Sequence, residues 1–189
     1  MHTNLFVITG GPGVGKTTLI RELSNAGFTV VEEDARKIIQ AQMLADGDAL
    51  PWKNKALYAK LMLEASVRSY QSIKDKQPSK PVFFDRGILD AICYMNMENI
   101  PIPSAMKAMG LAHPYAPKVF ILPPWKEIYQ TDNERKQTWE EAGFTFEKMK
   151  ETYLDYGYEV IEVPKTDVKT RRRFIESYLP TQTSPTLNE

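Results

Sequence analysis

The sequence predicts an α/β fold built on a parallel sheet, and three observations carry that expectation. Short apolar, β-prone runs alternate with longer stretches of helical periodicity, as crossover connections between parallel strands require. The first of them, Leu5–Thr9, is apolar nearly throughout, as a strand covered on both faces should be. The chain, at 189 residues, is long enough for one substantial core.

Taken in order, Leu5–Thr9 is the first strand candidate and runs directly into glycines. Lys16–Ala26 reads as a helix, with Leu19, Ile20 and Leu23 on its buried side and Gly27 as its stop. Phe28–Val31 is the second strand candidate. Ala35–Ala45 and Asn54–Lys74 read as helices on either side of a break at Gly47–Trp52. Leu57, Leu61, Met62 and Ala65 recur at helical spacing in the longer one. Pro81–Phe84 makes a third strand, Leu89–Met97 a further helix, and Lys118–Leu122 a fourth strand halted by Pro123-Pro124. The charged stretch Lys126–Lys150 has no evident sheet partner and reads as an excursion over the surface. Glu159–Val163 and Lys169–Tyr178 supply the last strand and helix. No linker divides the chain, so one domain over 1–180 is expected, with 181–189 a frayed tail rich in Thr, Ser and Pro.

Composition excludes several classes of function. Lys plus Arg equals Asp plus Glu at 24 each, which argues against a general nucleic-acid binder that must neutralise many phosphates. A single cysteine, Cys93, permits no intramolecular disulfide and reads as a buried thiol. Nothing approaches the roughly 20 apolar residues needed to span a bilayer, so no membrane partner and a cytoplasmic setting are the simplest expectation. His2 and His113 have no metal-ligand spacing, which argues against zinc.

The strongest chemical signal is Gly10-Gly11-Pro12-Gly13-Val14-Gly15-Lys16-Thr17, which satisfies G-x-x-x-x-G-K-[ST] in full. A buried strand precedes it and an amphipathic helix follows. Glycines let the backbone curl so that several N–H groups within Gly11–Thr18 point at phosphate oxygens (Pro12 has none to give), and the helix start adds its dipole. Lys16 would reach the outer phosphates, and the Thr17 hydroxyl would ligate Mg²⁺.

Ligands of an open parallel sheet collect at the carboxyl ends of its strands. The second strand ends in Glu32-Glu33-Asp34-Ala35-Arg36 and the third in Asp85-Arg86-Gly87. An Asp directly after an apolar strand suits Mg²⁺, held directly or through water, and Asp85 takes that assignment. Arg86 can neutralise a moving phosphoryl group or grip its acceptor. Glu33 is placed to orient or deprotonate an acceptor hydroxyl. The alternative for such carboxylates is a helix cap or a surface ion pair, with Asp34 the obvious cap.

Within the charged excursion, Asp132-Asn133-Glu134-Arg135-Lys136 is a candidate lid, spanning about 124–150. A kinase needs a segment that closes over the nucleotide and excludes water, since an open site would waste the phosphoryl group on hydrolysis. Arg135 is the first choice for a lid contact to phosphate, with Asp132 to orient it; the alternative is a solvated helix with i,i+4 charge pairs.

Together these residues resemble the small AAA-like P-loop ATP-binding proteins that include the ribosylnicotinamide kinase domain, close to nucleoside and nucleotide kinases. The resemblance runs from Phe6 to about Tyr178. It is carried by Thr9–Thr18, Glu33-x-Ala35-Arg36, Phe84-Asp85-Arg86-Gly87 with Asp90 and Tyr94, Phe120–Trp125, Asp132-x-x-Arg135, Gly157-Tyr158, Val163-Pro164 and Arg171. It implies a three-layer P-loop NTPase fold with a helical lid and a five-stranded parallel sheet of order 2-3-1-4-5. It places Asp85 and Arg86 at Mg²⁺ and phosphates, Glu33 at the acceptor hydroxyl, and Pro164 and Arg171 on the adenine side.

The acceptor should then lie between the second and third strand ends, with Arg36, Trp52, Tyr58, Asp90 and Tyr94 as candidates. A Trp or Tyr could stack on a flat base and Asp90 could bind a sugar hydroxyl, although tyrosines at helical spacing are more often core. The preferred reading is an ATP- and Mg²⁺-dependent kinase of a small hydroxyl-bearing metabolite such as a nucleoside or riboside, acting as monomer or homodimer. GTP stays open, although no Asn-Lys-x-Asp guanine motif is present. The alternative is a nucleotide switch or slow NTPase working through a partner, since a shared fold does not fix function. An oligomeric AAA motor is a weaker third reading, because no further helical domain follows the sheet.

Overall fold

The computed structural model describes residues 3–128 and 138–180. The strands are β1 (Leu5–Thr9), β2 (Thr29–Val31), β3 (Val82–Asp85), β4 (Lys118–Ile121) and β5 (Glu159–Glu162). They form one parallel sheet of order β2-β3-β1-β4-β5, the order the resemblance implied. The helices are α1 (Lys16–Asn25), α2 (Asp34–Leu44), α3 (Lys55–Lys74), α4 (Ile88–Met97), α5 (Ser104–Ala112), α6 (Trp139–Asp155) and α7 (Val168–Glu176).

Alternation along the strands divides the core into two layers, because successive strand side chains point to opposite faces. Leu5, Val7, Val82, Phe84 and Val119 face the layer that holds Ala59 and Leu63 of α3, Ile88–Ile92 of α4 and Tyr153 of α6. Phe6, Ile8, Phe83 and Phe120 face the other layer, with Leu19, Ile20 and Leu23 of α1 and Ile175 of α7. Phe83 and Phe120 are completely buried, each worth about 1.5–3 kcal/mol of transfer free energy. Cys93 is buried as expected, and burial pushes its thiol up to about 11.

Two expectations change. The stretch read as a surface excursion is, from residue 139 onward, part of α6, which packs on α4 and β5. Ala142, Thr145, Phe146, Met149 and Tyr153 are buried along one face of it. The surrounding charges conceal that stripe in the sequence, yet Thr138 accepts from the Glu141 amide at 3.2 Å and Glu141 Oε2 accepts from the Thr138 amide at 2.6 Å. This reciprocal capping box marks a helix start. The second change is α5, which the strand-and-helix reading lacked. Its Gly110 lies against Leu89, Ile92 and Tyr156, so that a Cβ there would come within 2.8 Å of Leu89.

Every crossover returns the chain to the same edge. The carboxyl ends of β1, β2 and β3 therefore lie side by side, and the residues that follow them form the site.

Candidate functional site

Glycine backbone conformations shape the loop after β1. Gly13 and Gly15 have φ of 77° and 80°, a region costly for residues with a Cβ. Gly15 is the N-cap of α1 and supplies no side-chain cap. The first amides of α1 thus keep their donors for an anion, with the helix dipole behind them. Thr17 and Thr18 are exposed on the first turn. Pro12 lines a cavity of about 790 Å³, and Gly11 lies beneath Thr145 of α6.

Beside this loop Lys16 is buried against two carboxylates. Its Nζ donates to Asp85 Oδ1 and lies 3.8 Å from Glu33 Oε2. Burial, and then repulsion from Arg86, pull the ammonium below the ordinary lysine value against the opposing pull of Asp85 and Glu33. Glu33 occupies the N-cap position of α2 but makes no capping bond with its side chain. Its carboxylate instead accepts from Arg86 Nε at 2.7 Å. Asp34, the expected cap, accepts from Ser69 Oγ at 2.8 Å.

Arg86 holds the center of the network in a left-handed backbone conformation, φ 71°. Such a residue costs about 1–3 kcal/mol and persists only where its surroundings over-determine it. Here its amide donates to Ile8 O at 3.0 Å, its Nε to Glu33, and its Nη1 to Asp90 at 3.2 Å. Burial disfavours the guanidinium's charge, but Glu33, Asp90 and Asp85 outweigh it and raise the pKa further.

Asp90 was expected at a sugar hydroxyl, and the structure gives its carboxylate other work. Oδ1 accepts from Thr9 and Arg86, while Oδ2 accepts from the Gly87 amide at 2.8 Å and Tyr153 Oη at 2.6 Å. With its principal lone-pair directions taken by donors, Asp90 braces Arg86 and the start of α4, and it also stands in the wall of the larger cavity. Thr9 and Tyr153, which sequence reasoning missed as site residues, complete that brace.

Trp52 also departs from expectation. It is 62% exposed and is not in the cavity wall, where its neighbour Pro51 stands instead. Arg36 lines a separate cavity of about 430 Å³ together with Thr17, Glu33 and Asp85. Tyr58 and Tyr94, weighed as core, do line the larger cavity, as do Phe144 and Glu98, which were not singled out. Arg171 is buried against the phosphate loop, its Nη1 3.4 Å from Val14 O and its guanidinium 5.5 Å from the Trp125 ring centroid. Pro164 lies in the loop after β5. Arg135 and Asp132 lie outside the described residues.

The donor set fits Mg²⁺ as a hard, oxygen-liganded cation. Thr17 and Asp85 face one cavity, and among the described residues no group of three His, Cys, Asp or Glu side chains forms an all-protein metal cage.

A family model described as an AAA domain matches residues 5–171. The chain belongs to this family. The resemblance drawn from the sequence is therefore borne out at the level of family and fold. This AAA domain is similar in structure to a deoxyadenosine kinase from M. mycoides with dCMP and dCDP bound, at 19% identity and TM-score 0.62, covering 92% of this chain and 97% of that one. It is similar to a thymidylate kinase from Ehrlichia chaffeensis at 13% identity and TM-score 0.60, covering 94% and 98%. It also matches a NadR protein in complex with NR at 15% identity and TM-score 0.67, covering 96% of this chain but 54% of that one. At these identities the likeness is one of fold. No curated protein sequence matches the chain significantly. Among the described residues no helix is long and apolar enough to cross a membrane.

The Glu33 carboxylate titrates in a direction that can be tested. Burial raises its pKa, but Arg86 and then Lys16 lower it more, leaving it below the ordinary value of 4.5. A folded pKa below the unfolded one gives stability that is full above the unfolded value and lost as pH falls through the folded one. Glu33→Gln should therefore destabilise the protein most at neutral pH, with the gap to the parent closing below about pH 4.5. Urea unfolding of both proteins at several pH values checks this.

Proposed function

We propose that the protein is an ATP- and Mg²⁺-dependent kinase that phosphorylates a hydroxyl of a small metabolite, a nucleoside or riboside in the first instance. The observation that carries this reading is the placement of Glu33, Asp85 and Arg86 in the wall of the 790 Å³ cavity, directly beside the phosphate loop. A hydrolase needs only water at that point. A cavity of this volume beside a carboxylate leaves room for a second substrate.

Lys16, now bonded to Asp85, transfers its bond to the β/γ-phosphates when ATP enters the loop. Its departure frees the Asp85 carboxylate, which with Thr17 would hold Mg²⁺. The bound ion supplies charge neutralisation at the phosphate oxygens. Glu33 accepts the acceptor's hydroxyl proton, or its hydrogen bond, and aims the oxygen. Arg86, braced by Asp90, offers its remaining donors to the transferring group. Catalysis of this kind is positioning and electrostatics, with no covalent enzyme intermediate. Arg171 and Pro164 are assigned to the adenine side and Arg135 to the lid.

The test is transfer from γ-labelled ATP with Mg²⁺ across nucleosides and ribosides, beside a control without acceptor. Label should appear in one acceptor class. Glu33→Gln should lower kcat about a hundredfold with KM for ATP within threefold, the range for loss of a general base. Tight nucleotide binding with no transfer to any acceptor would overturn the kinase reading in favour of a nucleotide switch.

A further inference from the structure

Helix α7 has two buried residues, Arg171 and Ile175, which are four positions apart and so share one face. Ile175 packs into the core layer with Leu19, Ile20 and Leu23 of α1. Arg172 ties the same two helices, its Nε 3.2 Å from Glu22 Oε1. Arg171, only 5% exposed, is thereby carried to the start of α1. Both of its terminal nitrogens stand over Gly15, 3.1 Å from where a Cβ would lie.

This guanidinium is uncompensated. It joins no ion pair among the described residues, and its Nε is buried without a hydrogen-bond partner. Burial pulls its pKa below the ordinary arginine value, yet a guanidinium keeps its charge at neutral pH. Asp167, the carboxylate that opposes this pull, is committed to capping α7, where it accepts from the Lys169 and Thr170 amides. The Trp125 ring holds the cation by its π face without neutralising it. Position adds to the cost, because a cation at a helix N-terminus opposes the macrodipole. Gly15 gives α1 no side-chain cap. Free amides, the positive end of a dipole and a buried cation therefore converge on one spot, and an anion seated there would relieve all three.

Resting on nucleotide binding by the phosphate loop and not on phosphoryl transfer, we propose that Arg171 is a fixed cation of the phosphate site. Held by Trp125 and Val14 O, it acts through the loop backbone and tightens the triphosphate in proportion to its charge. This goes beyond its place on the adenine side. Lys16 is different in kind, because Asp85 and Glu33 hold it in the free protein and must release it. Arg171 has no carboxylate to leave, so its charge is already in place when the phosphates arrive.

The test titrates the protein with ATP, ADP and inorganic tripolyphosphate by calorimetry, since tripolyphosphate carries the charge and lacks the base. Arg171→Gln, or Arg171→Met where the amide is not tolerated, should raise Kd about tenfold for ATP and tripolyphosphate and about threefold for ADP. Arg171→Lys keeps a cation there and should stay within about threefold of the parent for all three ligands. An unchanged tripolyphosphate Kd in the neutral variant, with ATP weakened, would confine Arg171 to the base and overturn the inference. So would an Arg171→Lys protein that binds as weakly as the neutral one, which would mark a packing role. Charge-graded losses in a protein that transfers phosphate to no acceptor would sustain this inference while the kinase reading falls. A parent protein that binds neither ATP nor tripolyphosphate would overturn both.

Discussion

Lys16→Ala should reduce phosphoryl transfer by about a thousandfold or more, the scale seen when a preorganised charge is taken from a developing anion. The same change acts on the resting protein, because Lys16 stands between Asp85 and Glu33 with its side chain only 8% exposed. Without it two largely buried carboxylates lose their shared cation, and only Glu33 retains Arg86. Breaking a buried pair from one side costs more than the pair contributes. A loss of about 2 kcal/mol, or roughly 4–8 °C in Tm at this size, is expected. Lys16→Arg separates the two effects. It restores a cation to the carboxylates and should recover most of the stability. Transfer should stay low, because a planar guanidinium does not reproduce a compact ammonium among loop amides. Labelled-ATP assays and thermal unfolding of both variants check this, and an active Lys16→Ala protein would remove the lysine from the mechanism.

What could be seen in advance follows from how local each feature is. The phosphate loop is a run of adjacent residues, so its backbone requirement is written in consecutive glycines. Glu33 is far from Asp85 and Arg86 in the chain, yet all three lie at or within two residues of the end of an apolar strand, and parallel pairing brings such ends together. Asp90's partners obey no such rule. Thr9 is 81 positions away and Tyr153 is 63, and both meet Asp90 only through the packing of α4 against β1 and α6. The pattern around Asp90 could suggest a site residue, but not that structural donors would occupy its oxygens. Helix α6 was obscured because the charges of its exposed face outnumber the apolar residues of its stripe. Helix α5 has Pro101 and Pro103 before it and Gly110 inside it, features that read as breaks. Gly110 is there because Leu89 and Tyr156 leave no room for a Cβ.

The strain at Arg86 gives that network its purpose. A residue at φ 71° relaxes unless it is held, and the holding groups are the two carboxylates that also aim its guanidinium. Glu33 binds it from the end of β2 and Asp90 from the first turn of α4, so the side chain is fixed from two elements. Relaxing one of them would let the guanidinium swing out of line with the phosphate loop.

Asp90→Ala should therefore lose stability and activity together, and a neighbouring change can tell the two losses apart. Removing the carboxylate leaves Arg86, Thr9, the Gly87 amide and Tyr153 Oη without their common acceptor. The cost of unpairing a buried charge and its hydrogen bonds is about 3–5 kcal/mol, roughly 6–20 °C in Tm. Tyr153→Phe deletes one of the four donors and leaves the Arg86 contact in place. It should cost about 1 kcal/mol with kcat within about twofold. Assayed where each protein is fully folded, Asp90→Ala should still show kcat at least about tenfold down with KM for ATP little changed, because the loss lies in aiming Arg86. Equal kcat in the two variants at matched folded fractions would make Asp90 a structural anchor alone, and the strained arginine would then have to find its alignment through Glu33.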